Sequence, residues 1–81
     1  MITVLYFGRL SDVGTSGPMV LPGGVVDTDG LTTFLSNNDA ALEQAFARAG
    51  NRVAVNQNMI TDNTPIKTGD EIAFMSPLSG G

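Results

Sequence analysis

The residues best placed to do chemistry in this sequence are its final six, Ser76-Pro77-Leu78-Ser79-Gly80-Gly81. Two terminal glycines leave a bare α-carboxylate on an arm that no side chain hinders. Six extended residues reach roughly 20 Å. That is enough to carry the carboxylate of Gly81 off a folded body and into a narrow pocket on another protein. Nothing can pack Gly80 or Gly81, so residues 76–81 are expected to be loose in the free protein. The plain alternative is a frayed end without a task.

Other chemistries are closed off. The sequence has no cysteine and no histidine. Disulfides, thiolate metal sites and cysteine nucleophiles are therefore excluded, and the commonest metal ligand and general base is missing. No metal site and no bound cofactor is expected, and a self-contained catalytic site is hard to build. Asp27, Asp29, Asp62, Asp70 and Glu71 fall mostly at cap or turn positions, where carboxylates serve structure. Asn56 and Gln57 are expected to satisfy backbone groups at a bend, and Lys67 is an ordinary loop lysine. Eight acids against four bases give a charge of −4. Arg9, Arg48, Arg52 and Lys67 are scattered, which argues against nucleic acid and anionic membranes as partners. No apolar segment approaches a membrane span, and the chain opens on a strand-like run without a basic leader. Cytoplasm is the expected location.

The elements that must carry the arm follow from periodicity. At 81 residues a single domain is expected, taken as residues 1–75 followed by the tail 76–81. Ile2 to Phe7 is a β-branched and aromatic strand with apolar residues on both faces, as in a central strand. After the turn residues 14–18, Met19-Val20-Leu21 reads as a short return strand. Asp27 or Thr28 can cap a helix bearing Leu31, Phe34 and Leu35 at i, i+3, i+4, weakened by Gly30. Asp39 caps a second helix, predicted over 39–49, with Leu42, Ala45, Phe46 and Ala49 on one stripe. Arg48 falls in its last turn and Gly50 supplies the stop. Arg52 to Asn56, then Met59-Ile60, then Glu71 to Met75 are strands, the last fed by the Gly69-Asp70 turn and lying beside the first. The pattern predicts an α+β domain, a β-grasp (ubiquitin-like) mixed sheet with helices on one face. A ferredoxin-like arrangement fits less well, because strand pairs flank one helical region.

Four runs, together spanning the chain, resemble a known family: the small subunit of molybdopterin synthase, the MoaD-like sulfur carriers. They are Ile2 to Phe7 with Gly8-Arg9-Leu10-Ser11-Asp12-Val13-Gly14, then Val55-Asn56-Gln57, then Gly69-Asp70-Glu71-Ile72-Ala73-Phe74, and finally Pro77-Leu78-Ser79-Gly80-Gly81. The sequence departs from the family at Ser76, where many members carry a second proline, which implies a less stiff start to the tail. Ser11-Asp12 stands where an Arg-Glu pair is common. The resemblance implies that an E1-like adenylyltransferase uses ATP to adenylate the carboxylate of Gly81. A sulfur donor protein then converts the acyl-adenylate to a thiocarboxylate. Pro77, Leu78, Ser79 and Gly80 enter the synthase large subunit, in a heterotetramer, and the sulfur passes to a cyclic pyranopterin phosphate. The chain would thus be the sulfur-donating subunit and not an enzyme by itself. Rival readings are a thiamine-pathway sulfur carrier, which is usually shorter and lacks the second helix, a ubiquitin-like protein modifier, and an interaction module with an inert tail.

Strand alternation also predicts a docking face. Ile2, Val4, Tyr6, Ile72 and Phe74 should face the helices, against Leu31, Leu35, Leu42 and Phe46. Leu5, Phe7 and Met75 should then lie on the open side of the sheet, near Met59. An exposed apolar cluster of this kind marks a partner surface, and methionine repacks against different shapes.

Overall fold

A computed structural model of the chain describes residues 1–77. β1 (Ile2–Phe7) buries Ile2, Val4 and Tyr6 on one face and turns Thr3, Leu5 and Phe7 to the other. It is followed by a 3₁₀ turn (Gly8–Asp12), β2 (Gly17–Met19), α1 (Thr28–Asn38), α2 (Ala40–Phe46), β3 (Arg52–Val55), β4 (Asn58–Ile60) and β5 (Glu71–Met75). The sheet order is β2-β1-β5-β3-β4, with β1 and β5 parallel and the other neighbours antiparallel. A parallel pair cannot be joined by a tight turn, so the chain must cross over between them. The two helices lie in that crossover and cover one face of the sheet. This is the β-grasp arrangement expected from the sequence.

The core lies between that face and the helices. Ile2, Val4, Tyr6, Ile72 and Phe74 meet Leu31, Leu35 and Leu42, with Phe46 packed against them. Phe74 is 1% exposed, and its ring lies 5.8 Å from that of Tyr6 and 4.9 Å from that of Phe46. Burying such a ring contributes about 1.5–3 kcal/mol. Leu10 and Ile66 complete this core. Sequence reasoning missed both, because each sits in an irregular segment whose periodicity gives no signal. No helix among the described residues is long and apolar enough to cross a membrane.

Asp39 separates the helices. Its extended backbone (φ −155°) breaks α1, and its carboxylate accepts the Ala41 and Leu42 amides at 2.9 and 3.3 Å, as an N-cap does. At the other end, α2 stops at Phe46, short of the predicted Ala49. Asn51 explains the early stop: its Nδ2 donates to the carbonyls of Ala45 (2.8 Å) and Phe46 (3.3 Å), supplying partners that a further turn would have used. Arg48 therefore lies beyond the helix. β2 also falls earlier than predicted, at Gly17–Met19, leaving Val20 72% exposed. Pro18 is tolerated there because β2 is an edge strand. Beyond the end of this pairing, the Ser16 Oγ accepts the Tyr6 amide at 2.9 Å.

Candidate functional site

Two features meet at one end of the sheet: the root of the C-terminal tail and the open apolar face. The ladder between β1 and β5 ends with Phe7 opposite Met75. The next amide, that of Ser76, donates to the Phe7 carbonyl at 3.2 Å. The Ser76 hydroxyl donates to the same carbonyl at 3.3 Å and accepts the Leu10 amide at 3.1 Å. Gly8 makes this closeness possible. Its φ is +68°, where side chains are disfavoured, and a Cβ built there would lie 2.7 Å from the Ser76 hydroxyl. On the far side Pro77 covers Gly50, whose Cβ would meet the proline Cγ at 2.8 Å. Where a proline would fix the backbone covalently, this serine fixes it with hydrogen bonds to two other segments. Ser76 and Pro77 belong with the folded body. Leu78, Ser79, Gly80 and Gly81, the remaining tail residues, lie outside the described residues.

The open face is built by register. Leu5 pairs with Ala73, Ala73 with Ala54, and Ala54 with Met59, so these four make one row across the sheet. The next row runs from Phe7 through Met75 to Arg52. Ala54 and Ala73 are small and form the floor of a shallow depression of about 390 Å³; Phe7 and Met59, 49% and 58% exposed, stand as its walls. Leu5 and Met75 are half-buried between them. The structure thus brings Leu5, Phe7, Met59 and Met75 together on one surface, at the end of the sheet from which the tail departs. Gln57 and Glu71 line the opposite edge. Alternation along β5 already puts Ala73 on the face of Met75; sequence reasoning missed Ala54 and Arg52. The same alternation could have found them once β3 and β5 were taken as neighbours.

Two of the candidate carboxylates, Asp27 and Asp70, serve structure. Asp27 caps α1, accepting the Gly30 amide at 2.8 Å and the Asn63 side chain at 3.0 Å. These two bonds, the Asn63 one foremost, lower its pKa from the ordinary carboxylate value. Asn63 also accepts the Asp29 amide and the Thr28 hydroxyl, while Thr28 accepts the Thr64 amide, so the 61–65 loop clasps the start of α1. Asp70 is buried, and accepts Asn56 Nδ2 at 3.0 Å and the Lys67 amide at 2.8 Å. Those bonds, the one from Asn56 first, lower its pKa too. Asn56 and Gln57 have positive φ (50° and 69°) at the β3–β4 turn. Asn56 also accepts the Glu71 amide at 2.9 Å, tying that turn to the start of β5. Asn56 thus satisfies a backbone group at a bend, as expected, while Gln57 shares the bend through its backbone alone. Among the described residues no group of three or more carboxylates could hold a metal ion.

Comparison with known proteins agrees with this architecture along the full length. The molybdopterin synthase sulfur carrier subunit of Haemophilus influenzae is 26% identical over 81 residues, spanning all of both chains. A chain from the solved protein–protein complex of subunits 1 and 2 of molybdopterin-converting factor from Helicobacter pylori 26695 is similar in structure. Its TM-score is 0.67 at 25% identity, covering 99% of this chain and 97% of that one. The model of the ThiS family matches residues 4–81, from the second residue of the central strand's buried face to the final glycine, and the chain belongs to that family.

Proposed function

We propose that this chain is the sulfur carrier subunit of a molybdopterin synthase. The observation that carries the reading is the match to a subunit of that name across the whole of both chains. The geometry supports it, since the tail leaves the body beside an open apolar face on which a partner can seat. The solved relative comes from a complex of two subunits, which supports a large subunit as one such partner. The presence of α2 favours this branch over the shorter thiamine-pathway carriers.

In the proposed chemistry a carboxylate oxygen of Gly81 attacks the α-phosphorus of ATP on an E1-like adenylyltransferase, and pyrophosphate leaves. A sulfur donor protein supplies sulfur to the carbonyl carbon, and AMP leaves with the bridging oxygen. The product is a terminal thiocarboxylate. In the large subunit its sulfur passes to a cyclic pyranopterin phosphate, and water restores the carboxylate. The carrier contributes no acid or base of its own. It contributes an unhindered acyl group, a fixed point of departure and a docking face. ATP is bound by the partner, and the cycle belongs in the cytoplasm.

The test is intact mass after incubation with ATP, the adenylyltransferase and a sulfur source. Exchange of one oxygen for one sulfur is expected. An unchanged mass, or attachment of the chain through Gly81 to lysines of other proteins, would refute the carrier reading.

A further inference from the structure

We infer that Ser76 is a positioning residue for the terminal carboxylate, and that it shortens the working arm from six residues to four. The inference rests on the sulfur-carrier reading and adds to it the element that aims the tail. Ser76 sits at the meeting of three segments. Its amide adds one hydrogen bond beyond the last β1–β5 pair, through the Phe7 carbonyl. Its hydroxyl bridges that carbonyl to the Leu10 amide. The Leu10 side chain is fully buried, so the 3₁₀ turn that supplies this amide is itself anchored in the core. Gly8 leaves the space the serine fills, and Pro77 follows against Gly50. β1 ends at Phe7, where Gly8 opens the 3₁₀ turn, so the ladder ends with the Ser76 bond. The last described residues, Ser76 and Pro77, are thus fixed in both place and direction.

From there, four extended residues reach about 14 Å. A partner must therefore hold its reacting centre within that distance of Pro77, and must approach the end of the sheet that bears Phe7 and Met75. Without the serine hydroxyl the root can detach, and the partner then has to order further backbone as it binds. Ordering one residue costs about one factor of ten in the encounter. Chemistry at the carboxylate, once bound, is untouched. The signature is a change in KM without a change in kcat.

The experiment uses the full chain with its E1-like adenylyltransferase and ATP. The rate of ATP–pyrophosphate exchange is followed against carrier concentration for wild type, Ser76→Ala and Ser76→Thr. Amide hydrogen exchange at Leu10 is read on the same proteins, below the melting temperature of each. Ser76→Ala is expected to raise KM roughly tenfold at unchanged kcat, with loss of protection at Leu10. Ser76→Thr, which keeps the hydroxyl, should restore both. Unchanged KM in Ser76→Ala despite lost Leu10 protection would overturn the inference and leave the serine a merely structural role. A fall in kcat at unchanged KM would overturn it as well. Absence of exchange with the wild-type chain would overturn the carrier reading itself, and is seen before any variant is compared.

Discussion

Gly81 is the residue on which the proposed chemistry turns. A side chain there would crowd the acyl carbon inside a pocket that admits bare backbone, so Gly81→Val should abolish thiocarboxylation, as read by intact mass. Its melting temperature should equal that of wild type, since the last strand ends at Met75, six residues earlier. Asp70 is a residue of the opposite kind, important to the fold and remote from the tail. Hydrogen bonds from Asn56 and the Lys67 amide stabilise its charged form. Its pKa is thereby lower in the folded chain than in the unfolded one. A group depressed in this way stabilises the fold above the ordinary carboxylate pKa and ceases to as pH falls through the folded value. Asp70→Asn should therefore melt lower than wild type at neutral pH, with the gap closing below about pH 4. A gap constant from pH 7 to pH 3 would show that the charge of Asp70 contributes nothing.

At the scale of elements, the two faces of β1 and β5 do different work. Phe74→Ala removes the most central ring of the core and should cost about 3–5 kcal/mol in denaturant unfolding. Phe7→Asp, one strand away on the open face, should leave stability near wild type, because that side chain is already half exposed. It should nonetheless weaken calorimetric binding to both the adenylyltransferase and the large subunit. Normal binding, or unfolding like that of a core variant, would count against the open face as the docking surface. This division was legible in the sequence because period-two alternation needs only neighbouring residues. The strand over Ile2 to Phe7, the capping by Asp39 and the final strand were legible for the same reason. The 3₁₀ turn and its buried Leu10 were not. Its shape depends on Gly8 accommodating a serine that lies 66 residues after Leu10, and no local pattern encodes such a meeting. The early end of α2 was hidden likewise, since Asn51 acts from outside the helical period. Arg52 and Ala54 on the open face needed knowledge of which strands are neighbours.

At the scale of the whole molecule, the proposed cycle has one apolar face and one tail serve two partners in turn. Both are reached from the same end of the sheet, so the adenylyltransferase and the large subunit should compete. Titrating the large subunit into a preformed carrier–adenylyltransferase complex should release the enzyme, and a stable ternary complex in ultracentrifugation would contradict this. The parallel pairing of β1 with β5 has a further consequence in time. It joins the second residue of the chain's first strand to a partner 68 positions on, Thr3 having its register with Glu71 and Val4 with Ile72. Pairs so distant in sequence close late and slowly, because a long loop must be gathered first. During synthesis the central pair cannot exist until the ribosome has released nearly the entire chain. The seat for Ser76 is built from that pair, so a nascent, truncated or misfolded copy has no root from which to offer its end. In the proposed cycle, folding itself would thereby act as a gate on sulfur loading, and adenylate would not be spent on defective copies.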